Sequence, residues 1–330
     1  MDPYPTRFPL LSDFRRIGMH HSQENCLRPA WLKVINPSTL PIEPMPTSGW
    51  VNTLLWQATL NDIKAFSLNK QTLLVIGKPS VFALTVLKLL KGRKSIYDAM
   101  DDFPAFYSGL SRFALRIREK MLVKRVSCVL ASSTTLKQHW NNVRGDVQLV
   151  PNGLDAAALP ESIGPVPLRQ NKVFGYVGTI ASWFDWNWVI ALAKARPLDV
   201  VRLIGPVFTP TPNLLPKNIE ILPPCNHQAA LHAMQNFDVG LIPFLKNELT
   251  ASVDPIKYYE YRALGLPVIS TDFGEMAFRV NEEGVFLSQY SKDIIDLVQG
   301  ALLYNIDSES VRKFKANNTW EARFAAAKIL

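Results

Sequence analysis

Between residues 73 and 288, short β-branched runs alternate with segments of helical spacing, and no other feature of the chain restricts its fold as much. The predicted strands of a first series are Leu32–Ile35, Leu73–Ile76, Ser95–Tyr97, Val126–Ala131 and Gln148–Val150. A second series runs Val173–Val177, Val200–Leu203, Ile219–Leu222, Val239–Ile242, Val268–Ser270 and Val285–Leu287. Helical patterns such as Trp188–Ala195, Ala229–Asn236, Ile256–Leu264 and Asp293–Leu303 lie between them. Strands separated by helices form βαβ units and parallel sheets covered on both faces. Pro151-Asn152-Gly153 closes the first series and a proline-rich stretch (Pro160, Pro165, Pro167) precedes the second. The expected class is therefore α/β, with two doubly wound Rossmann-like domains facing a cleft. Their expected limits are 1–155 and 172–312, with a linker over 156–171 and a final helix over 313–330. In such sheets ligands sit at the carboxyl ends of the strands.

Several classes of protein are excluded early. The apolar run Leu73–Leu90 is broken by Lys78 and Pro79, so no segment reads as a membrane-spanning helix. Residues 1–30 contain no apolar core of a secretory signal. Cys26, Cys128 and Cys225 are about a hundred residues apart, which suits a reducing cytosol and excludes a CxxC site. There is no G-x-G-x-x-G, Walker A, G-x-S-x-G or metal-ligand spacing. The five histidines, His227 among them, look incidental.

The charge of +8 is unevenly distributed. Residues 1–165 hold 20 lysines and arginines against 12 aspartates and glutamates, whereas residues 166–330 hold 16 of each. The excess gathers at Lys88, Lys91, Arg93 and Lys94, and again on a predicted helix over Leu110–Val126. That helix carries Arg112, Arg116, Arg118, Lys120, Lys124 and Arg125, together with Phe113, Leu115, Ile117, Met121 and Leu122. It reads either as a solvated face with its apolar side in the core, or as a patch for anionic lipid built on Arg112, Arg116, Lys120 and Lys124. No stacking aromatics interleave with these bases, so nucleic acid is not expected as a partner.

The most informative stretch runs from Glu248 to Ser270. Pro255 suits the first turn of a helix and Asp254 its N-cap. The exposed N–H groups at that start attract anions, Lys257 adds a full charge, and Glu260 projects from the same face. Such a cradle suits a nucleotide, with Lys257 on phosphate and Glu260 accepting ribose hydroxyls. An i,i+3 surface pair is the alternative for this segment taken alone.

The segment resembles the nucleotide-sugar site of GT-B-fold glycosyltransferases, in which E-x7-E precedes a G-x-P-V strand entry. Glu260 takes the second glutamate and Ser252 stands at the first. The nearer match is the bacterial envelope or capsular polysaccharide (teichuronic-acid-type) branch, through Ser252, Pro255, Lys257, Glu260, Tyr261, Ala263, Gly265, Pro267 and Val268. Gly175–Trp186 is similar to that family's first strand and loop of the nucleotide domain, which implies that the backbone of Gly178 and Thr179 approaches the diphosphate. Leu203–Pro206 and Phe237–Phe244 resemble later strands, with Asn247 and Glu248 at a donor-facing end. Val150–Asp155 resembles the interdomain turn, and Asn318–Arg323 the final helix, which the resemblance implies packs back on the first domain. Trp183, Phe184, Trp186 and Trp188 read mainly as helix–sheet packing.

In the first half, Asp98, Asp101 and Asp102 follow a strand. The resemblance points to Asp101 as the base that takes the acceptor hydroxyl proton, with Asp98 and Asp102 as further acidic candidates; loop capping is the other role open to all three. Members of the family open with a strand and a W-x-x-x-x-Q-R-P-like loop. Only Cys26-Leu-Arg-Pro29 matches it here, so the first domain is expected to be shortened at its N-terminus.

The resemblance thus implies a metal-independent hexosyltransferase without a cofactor. It would move a sugar from a nucleoside diphosphate sugar to a hydroxyl of a lipid-linked or growing cell-surface glycan. Its expected place is the cytoplasm, peripheral at the inner face of the plasma membrane. A nucleotide-sugar epimerase of the same architecture and a catalytically degenerate nucleotide-binding protein are the alternatives.

Overall fold

The computed structural model describes residues 29, 31–40, 42–43, 45–68, 71–160, 169–289, 293–305 and 307–328. Cys26 to Arg28 of the possible loop remnant, and residues 161–168 of the expected linker, lie outside them. The chain divides into two compact units. The first takes the described residues up to Ala131 together with Leu136–Gln148, and the second takes Ser132–Thr135 and the described residues from Leu149 on. Thr134 donates its N–H and hydroxyl to the Glu275 carboxylate at 2.8 and 2.7 Å, which ties Ser132–Thr135 to the second unit.

The first unit contains four strands in spatial order β1 (Leu73–Ile76), β2 (Lys94–Ala99), β3 (Cys128–Ala131), β4 (Gln148–Leu149). β1 with β2, and β2 with β3, run parallel. Among the described residues its helices are α1 (Gln57–Ser67), α2 (Val81–Leu89), α3 (Gly109–Val123) and, from Leu136 on, α4 (Thr134–Arg144). Tyr97, Ala99, Leu122, Val123 and Val129 are fully enclosed in its core. Leu32–Ile35 is not a strand: it is exposed and lacks regular structure, because propensity alone does not make a strand that no neighbour pairs with.

α3 has two sides. Its core face is Ala114, Leu115, Arg118, Glu119, Leu122 and Val123. Phe113 and Ile117 are 61% and 46% exposed, and Leu110 is 73% exposed. They share the outward face with Arg116, Lys120 and Lys124, while Arg112 is half-buried. The helical period decides this, since residues 113, 116, 117 and 120 fall on one side. Arg118 points inward, pairs with Glu43 at 3.4 Å and donates to the Met45 carbonyl at 2.7 Å.

The second unit contains a six-stranded parallel sheet in the order β10-β9-β8-β5-β6-β7. These strands are β5 (Val173–Val177), β6 (Val200–Ile204), β7 (Ile219–Leu222), β8 (Val239–Ile242), β9 (Val268–Thr271) and β10 (Val285–Ser288). The sequence changes direction around the central β5, placing a switch point beside β5 and β8. All four residues of β8 and of β9 are buried, as strands covered on both faces require. Covering helices are α5 (Trp186–Ala195), α6 (His227–Met234), α7 (Ile256–Ala263), α8 (Ile294–Leu303), α9 (Ser308–Asn317) and α10 (Trp320–Ala327). Phe184 and Trp188 join the core and Trp183 and Trp186 pack against it, in line with the packing role expected of them. Gly153 lies against Trp320 of α10, and Leu154 bridges to Thr319.

Candidate functional site

The loop after β5 and the start of α7 come together beside the switch point. Gly178 ends β5 with φ +148°, a conformation that L side chains rarely adopt. A Cβ there would lie 2.3 Å from Lys257 Cε, so the lysine lies directly over the glycine backbone. Lys257 Nζ also sits 5.6 Å from the centre of the Tyr176 ring, a cation–π arrangement. The lysine is half-buried; burial holds its pKa below the ordinary value, and nearby Glu260 opposes that shift. A charge held in this way gains from an anionic ligand that replaces lost hydration.

The loop itself is braced from three directions. Gly178 N–H donates to the Ile204 carbonyl at 2.8 Å, and Tyr176 O–H donates to the Thr179 carbonyl at 2.8 Å. A Cβ on Gly205 would lie 2.2 Å from Gly178 O, so two loops touch through glycines. The amide of Gly178 is occupied by Ile204. The amide left for an anion is Thr179's, which has no acceptor among the described residues.

α7 begins differently from its expected form. Its N-cap is Pro255, and no side chain caps it. Asp254 is instead fully buried, accepting from Arg279 at 2.8 Å, Tyr259 O–H at 2.9 Å and Asn152 N–H at 2.9 Å. Three partners elsewhere hold the carboxylate away from the capping position. This leaves the first-turn N–H groups without a side-chain cap, the condition for an anion at a helix start. The Arg279 guanidinium stacks over Tyr258 at 4.0 Å, and nearby Tyr259 and Asp254 push its pKa up against the effect of burial.

Glu260 is buried with its Oε1 2.9 Å from His227 Nε2. In the sequence His227 looks incidental, and the structure gives it a carboxylate partner. The signal that could have found it is position, since Asn226 caps α6 and His227 opens the helix that follows β7. The Glu260 carboxylate thus has His227 as one partner and acts on the charge of Lys257 from the same helix. Ser252, at the other motif position, is buried in the loop after β8. Asn247 and Glu248 are exposed, and Asn247 uses its side-chain oxygen to accept Thr250 N–H at 3.1 Å, building its own loop. A separate cavity of about 610 Å³ opens nearby in this unit, lined in part by Asp185, Asn187, Lys246, Asp272 and Ser288, with Lys246 and Asp272 paired at 2.9 Å.

In the first unit, Asp98 lies in the carboxyl half of β2, and Asp101 and Asp102 follow the strand. Burial first, then Asp102 and Asp98, raise the Asp101 pKa to about 6. Beneath them Tyr97 O–H donates to Glu119 Oε1 at 2.6 Å, and burial raises Glu119 to about 8. A carboxyl near neutrality can exchange a proton at physiological pH. No group of three or more His, Cys, Asp or Glu that could hold a metal occurs among the described residues.

Two parallel-strand sheets, the second of them doubly wound about β5 and β8, are those of the GT-B fold; the first keeps its strands in sequence order and is not doubly wound as expected. Solved structures with that fold include Anabaena Alr3699/HepE in complex with UDP-glucose (16% identity, TM-score 0.58, 82% of this chain and 80% of that one). The same protein with UDP matches at 18% identity and TM-score 0.58 over 86% and 83% of the two chains, and TarM at 11% and 0.59 over 81% and 57%. At these identities the likeness is one of fold. In sequence, 200 residues are 25% identical to TuaH of Bacillus subtilis (strain 168), assigned to teichuronic acid biosynthesis as a glycosyltransferase, covering 54% of this chain. The chain spans about half the length of that relative. No family model matches the sequence.

Proposed function

We propose that the chain is a glycosyltransferase of the bacterial cell envelope, moving a hexose from a nucleoside diphosphate sugar to a hydroxyl of a lipid-linked or growing glycan. The observation that carries this reading is Lys257 lying over Gly178 at the uncapped start of α7. Pyrophosphate there would meet the ammonium of Lys257, the amide of Thr179 and the helix dipole, while Glu260, held by His227, accepts the ribose hydroxyls. Ser252, Asn247 and Glu248 complete the expected donor set on the loop before α7. Asp101, with a pKa near that of a general base, takes the acceptor proton as the hydroxyl attacks the anomeric carbon. Charge on the leaving diphosphate is then met by these cationic and backbone groups, so neither a metal nor a cofactor is required. HepE, solved with UDP-glucose and with UDP, supports a uridine donor.

Turnover tests the reading. With UDP-glucose and a glycan acceptor, UDP should be released only when acceptor is present. An altered sugar without acceptor would mark an epimerase, and UDP binding with neither change a degenerate protein. Gly178→Ala should weaken UDP binding tenfold or more, by about 1.4 kcal/mol, since its Cβ displaces Lys257; a titration calorimeter reads this directly.

The outward face of α3 suits the cytoplasmic surface of an anionic membrane. Leu110, Phe113 and Ile117 supply apolar contact between Arg116, Lys120 and Lys124, and each base contributes roughly 1 kcal/mol near the surface. Co-sedimentation with phosphatidylglycerol vesicles should be strong at low salt, weak at high salt, and reduced in Phe113→Ser/Lys120→Gln. Among the described residues no helix is long and apolar enough to cross a membrane.

A further inference from the structure

The basic cluster Lys88, Lys91, Arg93 and Lys94 has no part in donor binding or in the outward α3 face, and with Arg125 it lines a cavity. A concavity of about 970 Å³ opens in the first unit, bounded by the ends of α2 and α3, the start of β2 and a 3₁₀ turn at Gly49–Leu54. Lys88, Lys91, Arg93, Lys94 and Arg125 are in its walls, and no carboxylate is. Trp50 lies on the rim, 46% exposed, and Leu87, Leu90 and Met121 give the interior an apolar side. Ser95 and Ser127 close the floor by exchanging hydrogen bonds, each N–H donating to the other's hydroxyl oxygen at 3.2 and 3.1 Å.

Helix ends account for only part of this charge. Lys88, in the last turn of α2, complements the negative end of that helix dipole. Lys91, Arg93 and Lys94 lie beyond the helix, and Arg125 comes from a different element. The Arg93 guanidinium donates to the Ser67 carbonyl at 3.3 Å, and the lysines and Arg125 along the cleft repel one another while focusing a positive potential that raises the local concentration of anions. The position is separate from the Asp101 loop. Lys94 opens β2, whereas Asp101 follows its far end, roughly 20 Å away along a six-residue strand.

We propose that this cavity binds an anionic glycan, a saccharide chain bearing carboxylates or phosphates at intervals. The ring faces of its sugars would rest on Trp50 and the apolar wall, and its charges on Lys91, Lys94 and Arg125. Volume and shape favour a chain over a membrane, since a bilayer covers a convex face such as that of α3 and does not enter a concavity. Nucleic acid fits less well, because one aromatic on the rim offers no series of stacking platforms. The proposal does not depend on donor binding in the second unit.

The test is binding of a fluorescent decameric oligogalacturonate to the full chain, beside neutral dextran of equal length, inorganic phosphate, and phosphatidylglycerol vesicles. Expected are binding of the oligogalacturonate that falls steeply with salt, none of dextran, and at least a tenfold loss in Lys91→Gln/Lys94→Gln/Arg125→Gln. Trp50→Ala, a second variant, should weaken the same binding, and UDP affinity should be unchanged in both. Undiminished oligogalacturonate binding by the triple variant would overturn the proposal. Displacement by equimolar phosphate would reduce it to a single-anion site and overturn the glycan. Capture by vesicles that the triple variant loses, with no oligogalacturonate binding, would make the cavity a lipid site. Loss of UDP binding in the unmodified chain would count against the transferase reading alone.

Discussion

Asp101→Asn is expected to lower kcat by 10²- to 10⁴-fold while raising stability at neutral pH. The first effect follows from removing a general base, whose usual contribution is of that size. The second follows from the Asp101 carboxyl, which burial and two neighbouring aspartates hold at about 6 rather than 3.8. Because the folded-state value is the higher one, the unfolded chain ionises first as pH rises. Stability is therefore lost between about pH 4 and pH 6, and the deficit persists above that range. Asparagine removes the charge and with it the deficit, on the order of 2 kcal/mol at pH 7.5 and close to zero below pH 4. Thermal melts of the two proteins across pH 3.5–8 measure the difference. The acid limb of kcat/KM in the unsubstituted protein should fall near pH 6. A variant with full activity would remove Asp101 from the chemistry, and one no more stable at pH 7.5 would mean that its carboxyl is not strained by its surroundings.

Asp254→Ala should destabilise the second unit by about 3–5 kcal/mol, the usual result of leaving one member of a buried ion pair without its partner. Arg279 would lose its nearer carboxylate, leaving Glu282 at 3.7 Å, and Tyr259 and Asn152 N–H would lose their acceptor in the same substitution. The α7 entrance depends on this junction, so nucleotide affinity should fall as well. The double variant Asp254→Ala/Arg279→Met, which leaves no buried charge unpaired, should recover part of the stability. Urea denaturation reads both. A single variant within 1 kcal/mol of the unsubstituted protein would show that the pair is not buried in solution.

The second unit could be read from sequence because its central strands are covered on both faces. Val239–Ile242 and Val173–Val177 are unbroken apolar runs whose ends glycine, proline or aspartate marks, and the strands formed where expected. Lys257 and Glu260 were legible from spacing on one helix. His227 was not, because its partner Glu260 is 33 residues away and nothing local distinguishes it from a surface histidine. Asp254 shows the reverse: its local context, before a proline and a helical run, is that of an N-cap, and three long-range partners override that context. The residues of α3 left open which of its two amphipathic sides the rest of the unit covers, and the buried Arg118–Glu43 pair lies on the covered one. Leu32–Ile35 has the composition of a strand without a strand beside it.

The account rests on Lys257 gripping a diphosphate, and calorimetric titration of UDP into the unsubstituted chain and into Lys257→Ala addresses this most directly. The unsubstituted chain should bind UDP, and the variant should bind at least tenfold more weakly, with uridine, which lacks phosphate, bound equally poorly by both. Equal UDP affinity in the two proteins would contradict it.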